Sequence, residues 1–140
     1  MEAYRYDDVN NRIALKEVAH DDGLDIAILD FEGVDRNEFP SLSVANDNGI
    51  KAGDRCLLAG FPDHSPGATP NLTPTEITSF RTLHGVKKLL ISNTVFKGNS
   101  GGPLVSDDLE VLGIADKGQD DNLNTVIHLT ELKKFIASIR

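Results

Sequence analysis

The segment of this sequence best equipped for chemistry is Lys97-Gly98-Asn99-Ser100-Gly101-Gly102-Pro103-Leu104-Val105. A serine hydroxyl is a weak nucleophile. It needs exposure, a base, and hydrogen-bond donors for the oxyanion that forms when it attacks a carbonyl. Glycines on both sides let the backbone turn tightly and aim N–H groups at one point. Glycine-rich turns are common, so this segment is only suggestive by itself and must be weighed with the elements that hold it.

Those elements read as short strands. Turn chemistry recurs at Asn10-Asn11, Asp21-Asp22-Gly23, Asn46-Asp47-Asn48-Gly49, Gly53-Asp54, Asp107-Asp108 and Asp120-Asp121-Asn122. Between the turns lie apolar runs at 13–18, 24–31, 56–61, 75–80, 89–96, 111–115 and 124–128. Their length, bounded by turns, predicts strands. Many short strands without helical periods between them indicate an antiparallel sandwich or barrel. Residues 62–74 hold four prolines, a density no strand interior tolerates, so an exposed loop is expected there. At the end of the chain, Leu132, Phe135, Ile136 and Ile139 follow helical spacing, with Thr130 as the expected N-cap and Glu131 in the first turn.

Composition narrows the function classes. The chain has 140 residues and 26% charged residues, as expected for one globular domain. A net charge of −8 with scattered basic residues argues against nucleic-acid or membrane-surface binding. No apolar run approaches the length of a membrane span, and Met1-Glu2-Ala3-Tyr4-Arg5 lacks a signal-peptide core. The single cysteine, Cys56, lies in an apolar run and reads as a buried, inert thiol. A reducing, cytoplasmic location is the expectation. The four histidines and one cysteine show no metal-ligand spacing, so neither metal nor other cofactor is expected.

Gly98-Asn99-Ser100-Gly101-Gly102-Pro103-Leu104 resembles the nucleophile segment of the trypsin-like serine protease superfamily, in particular its bacterial, disulfide-poor HtrA-like branch. Leu24-Asp25-Ile26-Ala27-Ile28-Leu29 is similar to the strand that opens with the triad aspartate. Gly53-Asp54-Arg55-Cys56-Leu57-Leu58-Ala59-Gly60-Phe61-Pro62 is similar to the strand entering the second barrel. Val111-Leu112-Gly113-Ile114-Ala115-Asp116-Lys117-Gly118 resembles the strand lining the primary specificity pocket. The likeness covers roughly residues 12 to 137. It implies an all-β, chymotrypsin-like double β-barrel with an incomplete first barrel and a C-terminal α-helix. The implied division is 1–45 for the remainder of the first barrel, 50–128 for the second, and 129–140 for the helix.

The resemblance also implies roles. Ser100 would be the nucleophile, and the N–H groups of Gly98 and Ser100 the oxyanion hole. Asp25 would orient a histidine base. Thr94 would sit at the floor of the specificity pocket and favour small or medium neutral residues. Asp116, Lys117 and Gly118 would pair with a peptide or protein substrate as an added strand, with Gly118 leaving the pocket mouth open.

The base is where the pattern departs. The family order is His, Asp, Ser, and only 24 residues precede Asp25. His20 reads as a surface turn residue, His64 falls in the proline-rich loop, His84 in a turn, and His128 just before the last helix. None fits the base position, so this chain alone is expected to be inactive, as a fragment lacking the N-terminal part of its domain. An incomplete first barrel leaves an open edge, which invites pairing with a second copy or with the missing segment. Asn99 replaces the aspartate that pairs with a freed N-terminus in zymogen-derived members. Asp116 stands near the residue expected to contact the triad aspartate, which would bring two carboxylates together. Two other functions compete with proteolysis through Ser100. One is a non-catalytic peptide-binding module that has kept the fold and lost the base. The other is the G-x-S-x-G elbow of α/β-hydrolases, whose chain order Ser100, Asp116 and His128 would satisfy. That elbow must lead into a helix, whereas Pro103 and β-prone Leu104-Val105 follow.

Overall fold

The computed structural model describes residues 1–46, 49–62, 65–93, 98–116 and 124–139. The chain divides into two compact units, Met1–Ser41 with His64–Thr69, and Leu42–Asp63 with Pro70–Arg140.

The first unit is an antiparallel sheet of three strands, β1 (Glu2–Arg5), β2 (Asp8–Asp21) and β3 (Ile26–Phe31), in that order. The turn between β1 and β2 falls at Tyr6-Asp7, where Arg5 forms an ion pair with Asp7 at 3.0 Å. Asn10-Asn11, expected to turn, instead lies inside β2. Both asparagines are exposed there, so neither needs a partner that the strand cannot provide. The Arg12 guanidinium covers the Tyr4 ring at 4.0 Å, an attraction that holds β2 to β1. Ile13 is the buried apolar residue of this sheet, and Phe31 packs on Phe39 at 4.8 Å between ring centroids. This is an incomplete barrel with outer edges on β1 and β3.

The second unit is a closed barrel. Its strands are β4 (Arg55–Gly60), β5 (Asn71–Leu83), β6 (Val86–Ile91), β7 (Pro103–Ser106), β8 (Val111–Ala115) and β9 (Thr125–His128). They run in the order β4-β5-β6-β9-β8-β7, and β7 closes the ring on β4 through Cys56↔Ser106, Leu57↔Val105 and Leu58↔Leu104. Inward residues alternate along each strand, and Leu58, Ile77, Leu89, Leu104 and Val126 fill the interior. Burying such side chains is worth about 1.5–3 kcal/mol each, which makes this unit's core the larger.

Pro74 lies within β5, opposite Leu57, so the expected loop ends at Pro70 rather than Pro74. Over Asn71–Glu76 the strand pairs with β4 alone, and pairing with β6 starts at Ile77. A strand with one neighbour has one edge with no ladder to complete, where proline is tolerated. The β5–β6 hairpin turns on His84 and Gly85, both at positive φ (52° and 80°), the geometry of a two-residue primed turn.

The closing helix, α1 (Leu129–Ser138), starts earlier than its sequence suggests. His128, not Thr130, is the N-cap: its Nδ1 accepts from the Thr130 N–H at 3.0 Å. The buried face is Leu129, Leu132 and Phe135 with Glu131, while Ile136 is 48% exposed. Ile136 lies roughly 100° around the axis from Phe135, which takes it off the barrel. Replacing His128 with alanine removes the cap and is expected to cost about 1 kcal/mol, read as a lower urea midpoint. His128→Asn should restore most of it, and an unchanged midpoint in the alanine variant would rule out the capping role.

Cys56 is 2% exposed in the barrel core, and its Sγ lies 3.8 Å from the Thr75 carbonyl oxygen. Burial, with help from Asp107, Asp54 and Glu76, pushes its thiol from 9.0 up to about 11. Below pH 9 the thiol is protonated whether the chain is folded or not, and contributes nothing to pH dependence. Between 9 and about 11 the unfolded chain ionises first, so stability should fall by about 1.4 kcal/mol per pH unit from this group. The folded protein should also resist iodoacetamide at pH 8 and react on unfolding. Equal stability slopes above pH 9 for the native chain and Cys56→Ala would refute the assignment.

Candidate active site

Ser100 sits on the turn that joins the segment before β7 to β7 itself, and it is exposed. Gly98 and Gly101 take φ of 98° and 85°, values at which an L side chain is strained. The turn is fastened on two sides. The Phe61 N–H donates to the Gly98 carbonyl at 3.1 Å, tying it to the exit of β4. The Gly101 N–H donates to Ala115 O at 2.8 Å, and Ala115 N–H donates to Gly102 O at 2.8 Å, tying it to the end of β8. Gly102 N–H closes the bend on Asn99 O at 2.9 Å. Among the described residues, the N–H groups of Gly98 and Ser100 donate to nothing. These are the two groups expected to serve an oxyanion.

Three glycines make this docking sterically feasible. A Cβ on Gly102 would meet the Ala59 carbonyl oxygen, and one on Gly98 would meet Phe61 O and, at 2.7 Å, Pro62 Cα. A Cβ on Gly60 would run into the Asn99 side chain and, at 2.8 Å, Asn99 Cα. Asn99 is 3% exposed, and its Oδ1 is enclosed with no hydrogen-bond partner among the described residues. Its side chain therefore anchors the turn by filling the space above Gly60, at the cost of an unpaired acceptor. Composition gave no sign of this support, although a glycine inside a strand pattern is a signal for close backbone approach.

Asp116 follows β8. Its N–H donates to Thr125 O at 3.1 Å, and its carboxylate forms a half-buried ion pair with Lys88 of β6. The sequence reading placed a second carboxylate near Asp116 and did not foresee Lys88, which is 28 residues away in the chain. Thr94, Lys117 and Gly118, expected at the pocket floor and on the substrate strand, lie outside the described residues, as does His64. The strand β7 follows the Ser100 turn directly, so the helix required by an α/β-hydrolase elbow is not there.

Asp25 belongs to the first unit. It is the last residue of the β2–β3 turn rather than the first of β3, with φ of 58°, and it is exposed. A short polar residue is among the few side chains that tolerate this conformation. Asp25 shares a surface depression with Glu17, His20, Asp21 and Asp22. His20 is not in the turn as expected but in β2, opposite Ala27. Its Nδ1 lies 3.3 Å from Glu17 and its Nε2 3.8 Å from Asp22. The hairpin thus brings His20 and Asp25 to one end of the sheet, which their five-residue spacing around Asp22-Gly23 could have indicated.

A closed six-strand barrel, an incomplete companion sheet and a closing helix, with a glycine-flanked serine at the mouth of β7, define a chymotrypsin-like fold. Residues 3–114 match the trypsin-like peptidase domain, and the chain belongs to that family. Its relatives are of the HtrA type. It is 29% identical over 139 residues to human serine protease HTRA4, covering 95% of this chain and 27% of that protein. It is 30% identical over 107 residues to a probable periplasmic serine endoprotease DegP-like of Pseudomonas fulva, covering 74% of this chain and 21% of the other. Among solved structures, the active form of the Rv3671c protease from M. tuberculosis superposes with a TM-score of 0.76 at 25% identity, over 93% of this chain and 60% of that one. The serine endoprotease from Yersinia pestis gives 0.73 at 21%, over 92% and 45%. The chain thus spans about a quarter of the length of these curated relatives.

Proposed function

We propose that this chain carries the nucleophile of a serine endopeptidase domain that works by acyl transfer through Ser100. The observation that carries the reading is the exposed Ser100 beside two unconsumed N–H donors on a turn clamped to β4 and β8. In this reading Gly98 and Ser100 stabilise the oxyanion and Asp25 orients a histidine. Asp116 to Gly118 pair with the substrate backbone, and Thr94 favours small or medium neutral side chains.

In this reading the base is none of the three described histidines. His20 faces Glu17 and Asp22, His84 forms a hairpin turn, and His128 caps α1. We therefore propose that the chain is silent by itself and active only when another polypeptide segment supplies the histidine. The outer edge of the three-stranded sheet is where such a segment, or a second copy, would add its strand.

The second reading is a peptide-binding module without catalysis, favoured by the same placement of the histidines. A fluorophosphonate probe separates the two. Applied to the longest gene product that contains this chain, it should label Ser100, and Ser100→Ala should abolish labelling. An unlabelled product, with Ser100 intact and the barrel folded, would leave the binding module standing.

A further inference from the structure

The ion pair of Lys88 with Asp116 joins parts of the barrel that are not neighbours. β6 and β8 flank β9 in the ring, so they stand two strand spacings apart, about 10 Å. Lys88, on β6, lies opposite Ile127 of β9. Asp116, just past β8, donates its N–H to the Thr125 carbonyl of the same strand at 3.1 Å. Ile127 and Thr125 are two residues apart, so they share a face of β9, and both are buried. The ion pair therefore spans β9 as a strap, and only a long cationic side chain reaches that far.

The strap is not chiefly a source of stability. Its side chains are 11% and 20% exposed, deep enough for desolvation to offset much of the attraction. What it supplies is direction. The paired ladder of β8 and β9 ends at Ala115 and Val126, and the Asp116 N–H adds one more bond beyond it. A chain held by one hydrogen bond can pivot about it. A second tie, through the carboxylate to a strand on the far side of β9, fixes the angle at which the chain leaves the barrel. The residue before, Ala115, holds the Ser100 turn through Gly101 and Gly102, so that angle is set relative to Ser100.

We propose that Lys88 is a positioning residue. Through Asp116 it sets the line on which the chain leaves β8, and so aligns the segment that starts at Asp116 with a bound peptide. This rests on the reading that the segment receives substrate, and adds that its alignment is controlled from β6, 28 residues away in the chain. Arg81 stands directly opposite Lys88 on β5 and is exposed. It provides a control for charge alone.

In the isolated chain, amide exchange reads the strap directly. Lys88→Met should speed exchange at Asp116 about tenfold, while Ala115, bonded to Gly102, keeps its native rate. Lys88→Arg should restore the native rate at Asp116, and Arg81→Met should leave both amides unchanged. In the longest gene product that contains the chain, Lys88→Met should raise KM for a peptide about tenfold, with kcat and fluorophosphonate labelling of Ser100 held within about twofold. Lys88→Met/Asp116→Asn removes both charges, and should recover the urea midpoint while keeping the raised KM. Where Ser100 of the native product does not label, the catalytic reading fails, and the same ratio measured as peptide Kd still decides the role of Lys88. An unmoved Asp116 amide, an unchanged KM or Kd in Lys88→Met, a KM or Kd that recovers with the midpoint in the double variant, or an equal effect of Arg81→Met would each overturn the proposal.

Discussion

Incubated with peptide substrates, the isolated chain is expected to show hydrolysis about a million-fold below that of a domain of this family with its histidine in place. In an enzyme with the same triad, removal of the histidine has an effect of that size, equivalent to roughly 8 kcal/mol of barrier. A serine hydroxyl beside N–H donors still needs a base, because the hydroxyl must lose its proton as it attacks. Adding a histidine-bearing segment that pairs with the edge of the three-stranded sheet should raise the rate by several orders of magnitude, and Ser100→Ala should cancel the gain. Substantial turnover by the chain alone, lost in Ser100→Ala, would show that one of its own histidines acts as base. His20→Ala and His64→Ala would then identify which.

The second large effect is steric. Gly102→Ala and Gly98→Ala should each lower stability by several kcal/mol, because the new methyl meets a backbone carbonyl that cannot move aside. Overpacking against backbone that cannot yield costs about 3 kcal/mol or more, and at Gly98, whose φ is 98°, backbone strain adds roughly 1–2. Gly85→Ala provides the control. It has a positive φ of 80° but open space around its Cβ, so it should show the strain contribution alone. Gly60→Ala reports a different contact: its φ is unexceptional, and what obstructs its methyl is Asn99. Urea unfolding of the four variants should therefore rank Gly98 and Gly102 as most damaging, with Gly85 the mildest. If Gly102→Ala matched Gly85→Ala, the turn would not be seated on β4 as described.

The fold was legible in the sequence to the extent that local pattern governs it. The runs at 56–61, 111–115 and 124–128 alternate or stay apolar between strong turn signals, and all three are barrel strands. β1 was not anticipated, because Glu2–Arg5 has too little apolar character to stand out and owes its pairing to β2. β5 was read too short, since proline content was weighed without knowing that its first half would have a neighbour on one side only. The serine turn was legible because its glycines serve a backbone geometry that few other residues allow. Its supports were not. The ion pair of Lys88 with Asp116, the fit of Asn99 over Gly60 and the capping by His128 depend on which strands become neighbours, and that is decided by closure of the whole ring.

The ring closes where β7 meets β4, and the Ser100 turn hangs from those two strands. Ser100 therefore has no defined posture until residues from opposite ends of the barrel sequence have found each other. A nascent or half-unfolded molecule should be chemically harmless, because its hydroxyl is just another flexible alcohol. If Ser100 acts as proposed, competence arrives in a single step with the last seam, as in a latch that can engage only once the door is shut. Hydrogen exchange should find the amides of Leu58 and Leu104 opening together with the turn, and separate opening would contradict that coupling.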